Sequence, residues 1–235
     1  MVSKNAGTIA AVALSVVSIA TPSLAIPTIR FDQSGLPGTI GGTLSYSGDP
    51  GAPVIGTGIL FDQITGEGTP FGGSVFCTDL LGIAEPCKLK FTSGPNTLEG
   101  PAIWTWGAGE PDSFVLTGRI PGIGIVAPDT VLLSGRLVTN VLAVGAGVSL
   151  VFSGEGVDIK HEALVDRFFG APIPQFAFLN SEFLLGSATI EADGGFSGDI
   201  TNADLNNIVP EPASSLVMIL GLGGLALFRG FRRRS

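Results

Sequence analysis

Two tryptophans, one acidic stretch and several pairs of carboxylates are the residues whose spacing could support binding or catalysis. Trp104 and Trp106 are two residues apart, so on a strand both indole rings point to the same face. Two such rings could stack on the sugars of a polysaccharide, and packing inside a β domain explains the same spacing. Core packing is favoured because large aromatic side chains fill such interiors.

The second candidate is the twelve-residue stretch from Asp193 to Asp204, which has the length of a calcium-binding loop. It carries acids at its first and last positions, with Ser197 and Asp199 between them. The stretch resembles a degenerate EF-hand or dockerin-type loop. Gly195 at the third position offers no side-chain ligand, and Asp204 stands where the pattern has Glu. A polar turn and spacer is therefore the favoured interpretation.

Carboxylate pairs could in principle perform glycosidase chemistry, which needs two carboxyl groups about 5 to 10 Å apart. The sequence offers Glu110 with Asp112, and Glu155 with Asp158. The chain has 20 Asp plus Glu residues, so such pairs also arise by chance. It has no Gly-x-Ser-x-Gly motif, no pair of zinc-binding histidines and no phosphate loop. The sequence therefore argues against an enzyme and implies no cofactor.

The chain has two cysteines, Cys77 and Cys87, and one histidine, His161. In an oxidising compartment the two cysteines predict one disulfide that closes a small loop. Two thiols and one imidazole supply too few ligands for a metal site. His161 has no nucleophile at a catalytic spacing, so it is interpreted as an exposed residue at the start of a helix.

The N-terminus has the three parts of a secretory signal peptide. Lys4 supplies a positive charge, residues 6–20 are apolar, and Pro22 interrupts the run before Ser23-Leu24-Ala25. We expect signal peptidase to cleave after Ala25, so that residues 1–25 are removed. An uncleaved membrane helix is the alternative.

The C-terminus combines three further features. A tetrapeptide held extended by its prolines comprises Val209, Pro210, Glu211 and Pro212. Residues 213–228 carry no charge and would form a helix about 24 Å long at ~1.5 Å per residue, just enough for a transmembrane helix. A basic cluster that would hold its end in the cytoplasm comprises Arg229, Arg232, Arg233 and Arg234.

This order of Pro-Glu-Pro, short apolar helix and terminal arginines resembles the PEP-CTERM sorting signal, and the resemblance covers residues 209–235. The resemblance implies that a membrane exosortase recognises the motif and cleaves near it. It also implies export across the inner membrane, transient anchoring there, and a final place in the cell envelope, at the cell surface or outside the cell. Such proteins accompany extracellular polysaccharide in biofilms. A permanent membrane anchor is the alternative.

Residues 26–208 form the predicted exported domain. They carry seven Lys plus Arg against nineteen Asp plus Glu, a net charge of −12. Such a charge repels nucleic acids and anionic lipid surfaces, so we expect no nucleic-acid partner.

The composition of this domain predicts an all-β fold, since Gly, Pro, Thr, Val and Ile are frequent. Strands are predicted over 38–47, 54–65, 73–78, 87–92, 102–107, 112–120, 130–144, 148–158, 176–185 and 186–192. One short helix is predicted over 158–170, with Asp158 as its N-cap and Gly170 as its stop. This many short strands favours a β-sandwich or a jelly roll.

Together these features predict an envelope or matrix protein with a structural or interaction role. A carbohydrate-binding module is the alternative, and a glycan-acting hydrolase is less favoured.

Overall fold

The computed structural model describes residues 26–33, 38, 40–100, 103–144, 150–172 and 176–208. The predicted signal peptide and the predicted sorting signal lie outside these residues. The strands are β1 (Thr28–Asp32), β2 (Thr43–Tyr46), β3 (Ile55–Phe61), β4 (Gln63–Glu67), β5 (Gly73–Phe76), β6 (Cys87–Thr92), β7 (Asn96–Glu99), β8 (Ile103–Trp106), β9 (Phe114–Ile120), β10 (Ile125–Val144), β11 (Leu150–Lys160), β12 (Phe176–Ile190) and β13 (Phe196–Ile208). The helix α1 (Glu162–Phe169) follows β11, and a 3₁₀ turn (Pro121–Ile123) follows β9. Within the described ranges no helix has the length and apolar character needed to cross a membrane.

The strands form because apolar and polar residues alternate along them. In β6 the side chains of Cys87, Leu89 and Phe91 are buried, and the residues between them are exposed. A period of two places alternate side chains on opposite faces of a strand, so each such strand contributes one face to the core. The predicted all-β class is confirmed.

The sheet closes on itself instead of forming two layers. Eight strands follow one another in the order β12, β11, β10, β9, β6, β3, β2 and β13, and β13 also pairs with β12. All these pairings are antiparallel. The result is a closed barrel, so the expectation of a β-sandwich or jelly roll was wrong. Closure pairs the backbone groups that two free edge strands would otherwise leave open.

Two long strands, β10 and β13, each pair with two different strands along the same edge. The first half of β10 pairs with β9 and its last residues pair with β8. In the same way, β13 pairs with β2 near its start and with β1 near its end. Strands β1, β4 and β5 therefore extend one end of the closed sheet, and β7 with β8 form a flap on β10.

Most predicted strands correspond to observed ones, and three observed strands had no counterpart in the sequence analysis. These are β1, β7 and β13. The largest miss is β13, which occupies part of the stretch interpreted as a polar turn or calcium loop. Its first residues alternate between buried and exposed, with Phe196, Gly198 and Ile200 facing inward. The two strands predicted over 176–185 and 186–192 form a single long strand, β12, which ends at Ile190.

Aromatic rings fill the interior of the closed sheet. Phe91 stacks on Phe114, Phe152 and Phe183, with ring centroids 5.3 to 5.8 Å apart. Such offset contacts between rings add to the free energy gained by burying them. Gly56 lies against this cluster, because a Cβ there would come 2.3 Å from the Phe91 ring. The close approach of β3 to this ring therefore requires a glycine.

Helix α1 confirms the predicted helix but begins later than expected. The N-cap is His161, whose Nδ1 accepts a hydrogen bond from the Ala163 N–H at 3.2 Å. Asp158 was the expected N-cap and this was wrong, because β11 continues through Lys160 and turns the Asp158 side chain into the core. Gly170 ends the helix with φ +65°, as predicted.

Candidate functional site

The predicted disulfide between Cys77 and Cys87 is present, with Cα atoms 5.7 Å apart. Gly118 of β9 provides the space for it, since a Cβ there would lie 2.3 Å from Cys87 Sγ. The bond closes the disulfide loop, residues 77–87. Within the loop, Asp79 Oδ1 accepts hydrogen bonds from the N–H groups of Leu81 and Ile83, both at 2.8 Å. The loop is therefore held by covalent and polar contacts rather than by a core of its own.

The tip of the disulfide loop is apolar and exposed to solvent. Leu81 is 84% exposed, and Leu80 and Ile83 are each 63% exposed. An ion pair between Arg119 of β9 and Glu85 ties the loop to the closed sheet. The loop thus presents apolar side chains on a constrained backbone, a combination typical of contact surfaces.

Both tryptophans lie in the core, where they offer no exposed platform for sugar rings. Trp104 and Trp106 are each 2% exposed. Their rings pack on Phe196 at 5.8 and 6.2 Å, and Tyr46 packs edge-on against Trp106 at 5.4 Å. The structure therefore contradicts the glycan-stacking hypothesis for this pair and supports core packing. Within the described ranges neither indole Nε1 has a hydrogen-bond partner.

The calcium-loop candidate is divided between a turn and a strand. Asp193 lies in the turn between β12 and β13, where its Oδ1 accepts from the Gly195 N–H at 3.1 Å. Ser197, Asp199 and Asp204 lie on extended β13. At ~3.3 Å per residue, Asp199 and Asp204 are about 16 Å apart along the strand. A loop must fold its ligands around one ion, so the calcium interpretation of these four residues was wrong.

A surface cavity of about 420 Å³ lies beside the β12–β13 turn. Its lining includes Glu99, Trp104, Glu191 and Asp193. Tyr46 Oη is 3.3 Å from Glu99 Oε2, and burial together with this carboxylate raises the pKa of Tyr46. The cavity is acidic, and the edge of Trp104 that lines it belongs to a ring otherwise enclosed by the core.

One of the two acid pairs proposed for glycosidase chemistry is divided between the two faces of a strand. Glu155 is exposed on the outer face of β11, and Asp158 is buried on the inner face. Two carboxyl groups on opposite faces of a strand cannot flank one glycosidic bond. Glu110 and Asp112 both lie exposed before β9, where Asp112 has φ +57° and accepts a hydrogen bond from the hydroxyl of Ser134.

A pair of carboxyl groups on the outer face was not anticipated from the sequence. Asp32 and Asp204 are direct partners in the β1–β13 register, and Arg30 contacts both. Burial and a hydrogen bond with Asp204 raise the pKa of Asp32 to about 7. Despite the opposing effect of burial, hydrogen bonds with Asp32 and Arg30 hold the pKa of Asp204 below its usual value. One proton is thus shared across the pair, with Asp32 as its holder.

A second unanticipated group, the buried lysine cluster, comprises Lys160, Asp158 and Asn207. Lys160 Nζ contacts Asp158 Oδ1 and donates to Asn207 Oδ1 at 2.7 Å. Both charged side chains have no exposed surface. Burial lowers the pKa of Lys160 to about 8 and raises the pKa of Asp158, and in each case the partner's charge opposes the effect only in part.

Two aromatic rings lie beside the amine of this cluster. Lys160 Nζ lies 4.1 Å from the centroid of the Phe176 ring and 5.7 Å from that of Phe31. Phe169 of α1 packs on the Phe176 ring, with the two ring centroids 5.9 Å apart. Gly135 of β10 leaves room for Asp158, since a Cβ there would come 2.7 Å from the Asp158 Cα and Cβ.

A signal for part of this cluster exists in the sequence. Leu150, Phe152, Asp158 and Lys160 all fall on one face if the period of two continues to the end of β11. The predicted strand ends at Asp158 and the predicted helix begins there, so the inward direction of Lys160 was not expected. Asn207 was missed because β13 was not predicted.

The predicted sorting motif, the basic cluster and the signal peptide lie outside the described residues. No protein-family model matches this chain, and the comparisons with curated proteins and with solved structures returned no significant match.

Proposed function

We propose that this chain is exported, sorted by an exosortase, and retained in the cell envelope or the exopolysaccharide matrix, where it has a structural or interaction role. The observation that carries the proposal is the ordered signature in residues 209–235, in which Pro-Glu-Pro, an uncharged stretch and an arginine cluster follow one another. The disulfide between Cys77 and Cys87 supports export, because such bonds persist in oxidising compartments.

The described residues also support a role in contacts. Each of the eight strands in the closed ring pairs with a neighbour on both sides. A ring without free edge strands resists pairing with other chains, which suits a protein outside the cell. The disulfide loop presents Leu80, Leu81 and Ile83 to solvent. The net negative charge favours solubility and contacts with cations or basic groups. Extracellular polysaccharide is the proposed partner in the matrix.

Identification of the N- and C-termini of the mature protein tests the sorting proposal most directly. The full chain is expressed in a bacterium that carries an exosortase, and the protein is recovered from the membrane, the cell surface and the medium for intact-mass analysis. We expect an N-terminus at Ile26 and a C-terminus close to Pro212. A protein that keeps Ser235 and stays in the membrane fraction would make the C-terminus a permanent anchor, and a cytosolic chain that keeps residues 1–25 would refute export.

The matrix role has a separate test. Purified mature protein is incubated with polysaccharide extracted from the same bacterium, and the bound fraction is measured after sedimentation. We expect co-sedimentation that bovine albumin, an acidic control protein, does not show. Equal behaviour of the two proteins would refute association with the polymer. A glycan array on the same protein separates a specific carbohydrate-binding module, which would show a few strong ligands, from general matrix association.

A further inference from the structure

The buried lysine cluster brings an amine, a carboxyl group and a carboxamide into mutual contact. Lys160 Nζ is 2.7 Å from Asn207 Oδ1 and also contacts Asp158 Oδ1. This hydrogen bond holds the amine beside the carboxamide, at the oxygen bonded to the carbonyl carbon that the amine would attack. All three residues are buried.

We propose that Lys160 and Asn207 become joined by an intramolecular isopeptide bond, with Asp158 transferring the protons of the reaction. Lys160 Nζ forms a bond to Asn207 Cγ, and the bond between Cγ and Nδ2 breaks. The departing nitrogen leaves as ammonia, so the reaction consumes no oxidant, metal or other reactant. The product is a secondary amide between the two side chains.

The protons balance within the cluster. The ammonium of Lys160 first gives one proton to the carboxylate of Asp158, which produces a neutral amine and a neutral acid. The acid then polarises the carbonyl of Asn207 and supplies a proton to the departing nitrogen, while the amine surrenders one of its own to the carboxylate as the new bond forms. Asp158 ends in the protonation state that it had when the attack began.

Burial favours the neutral forms that this chemistry needs. Desolvation lowers the pKa of Lys160 to about 8 and raises that of Asp158, so the transfer of a proton from the amine to the carboxyl costs much less here than in water. The rings of Phe176 and Phe31 beside the amine exclude water that would compete for it.

Two buried polar atoms of the cluster have no hydrogen-bond partner within the described part of the chain. Asn207 Nδ2, the departing nitrogen, has no hydrogen-bond partner, and neither has Asp158 Oδ2. Buried polar atoms are nearly always paired in folded proteins, so two unpaired atoms in one cluster require an explanation. The proposed reaction removes the unpaired Asn207 Nδ2 as ammonia. The unpaired Asp158 Oδ2 is then the oxygen that transfers the protons.

The strands hold the reacting groups in place. Asp158 and Lys160 are two residues apart on β11, so both point into the core. The backbone of Asn207 is paired on both sides, with Ile29 of β1 and with Phe178 of β12. Little conformational freedom remains to be lost before the bond forms.

The bond would tie β11 to the last described strand, β13, across a sequence separation of 47 residues. Unfolding β13 from the closed sheet would then require the whole segment to move together. The chemistry depends only on residues 158–207 and their neighbours, so it does not rest on the sorting proposal.

Mass spectrometry of the full-length chain tests the proposal without any substitution. After reduction of the disulfide, the intact mass is expected to be lower by one ammonia than the mass calculated for the same N- and C-termini. Trypsin is expected not to cleave after Lys160, so residues 137–167 appear covalently joined to the peptide that begins at Phe168 and contains Asn207. Fragmentation of that species places the link between the two side chains.

Two outcomes would overturn the proposal. The first is a folded protein with unchanged mass and a free tryptic peptide that ends at Lys160, which would leave the cluster as a buried ion pair. The second is loss of ammonia without the branched peptide, because an asparagine can also lose ammonia by cyclising on its own backbone. Either result can be obtained from a chain whose C-terminus is intact or removed, so failure here and failure of the sorting proposal are distinguishable.

Variants assign the roles within the cluster. Lys160→Met removes the nucleophile and is expected to abolish the branched peptide, whereas Lys88→Met on the exposed face of β6 leaves it unchanged. Asn207→Asp is expected to yield the same linked product with loss of water instead of ammonia, a result that a merely structural asparagine would not produce. Asp158→Asn is expected to fold with the link absent or formed at least ten times more slowly; a normal rate of linkage would remove Asp158 from the mechanism. If a variant does not fold, the wild-type mass still decides the proposal.

Discussion

Asp32 of β1 lies directly opposite Asp204 of β13, and Arg30 Nη2 is 3.0 Å from Asp204 Oδ1 on the same outer face. Two carboxylates on directly paired residues repel each other, and the pair is stable because Asp32 keeps a proton that is shared with Asp204. The arrangement makes the stability of the closed sheet depend on pH.

Asp32→Asn is expected to change this pH dependence. The pKa of Asp32 is raised to about 7, so its contribution to the free energy of unfolding is complete below its unfolded value and is lost as the pH rises through about 7. An asparagine keeps the neutral donor at every pH. The variant should therefore match the wild type near pH 4 and exceed it by about 1 kcal/mol at pH 8, a figure reduced for solvent screening of this partly exposed pair.

Urea unfolding at pH 4, 6 and 8 measures the difference. Asp199→Asn, at an exposed position on the same strand, is the control and should run parallel to the wild type. A constant offset between Asp32→Asn and the wild type across this range would contradict the shared proton. Below pH 4 the lowered pKa of Asp204 acts in the opposite sense, because its stabilising charge is lost as the pH falls.

Gly118→Ala is expected to destabilise the domain by disturbing the disulfide. The added Cβ would lie 2.3 Å from Cys87 Sγ and 2.8 Å from Cys87 Cβ, so the bond or the strand must move. We expect a loss of about 1 to 3 kcal/mol in the free energy of unfolding, as for other overpacked core sites. Gly122→Ala, with no atom within 4 Å of the new Cβ, is the matched control. Equal thermal midpoints for the two variants would show that the sheet absorbs the clash.

Loss of the disulfide itself has a separate expected magnitude. Cys77→Ser combined with Cys87→Ser opens a loop with a sequence separation of 10 residues. Chain entropy of the unfolded state then predicts a loss of about 2 to 3 kcal/mol. Denaturant unfolding of the double variant and of the reduced wild type checks this value, and the two should agree. A double variant as stable as the oxidised wild type would contradict the constraint.

The buried tryptophans predict a simple optical result, since Trp104 and Trp106 are the only two tryptophans of the chain. Each is 2% exposed, so the emission of the folded protein should be blue-shifted and resistant to acrylamide quenching. Trp106→Ala should lower the free energy of unfolding by about 3 to 5 kcal/mol because it leaves a cavity. Phe71→Ala, at a 54% exposed position, should have a much smaller effect. Emission at the wavelength of free indole in water would place the rings outside the core.

Glu211→Ala tests the proposed handle for exosortase. The substitution leaves the apolar stretch and the arginine cluster unchanged, so anchoring is retained while the Pro-Glu-Pro motif is lost. We expect the variant to accumulate in the membrane fraction with Ser235 intact. Glu191→Ala, an exposed acid in the β12–β13 turn, should be processed like the wild type. Normal processing of Glu211→Ala would show that this acid is not part of the recognised motif.

Several elements could be predicted because their signals are local. Strand β6 was predicted with its observed bounds, since the alternation of Cys87, Leu89 and Phe91 with lysines is complete within six residues. Gly170 was predicted as the end of α1, because the left-handed conformation at a helix end favours glycine. Strand β13 was not predicted, because its acids and asparagines have low strand propensity and only pairing with β1, β2 and β12 on either side stabilises them.

The sequence by itself determined the all-β class and the disulfide, since strand periodicity is a local property and two cysteines allow one intramolecular pairing. Tertiary structure alone decided that β12 and β13 close the sheet, that Trp104 and Trp106 face the core, and that Lys160 meets Asn207. Register between strands far apart in the chain depends on the summed packing of both faces, and no local pattern encodes it. Only that register brings an amine, an acid and a carboxamide from β11 and β13 into one buried cluster.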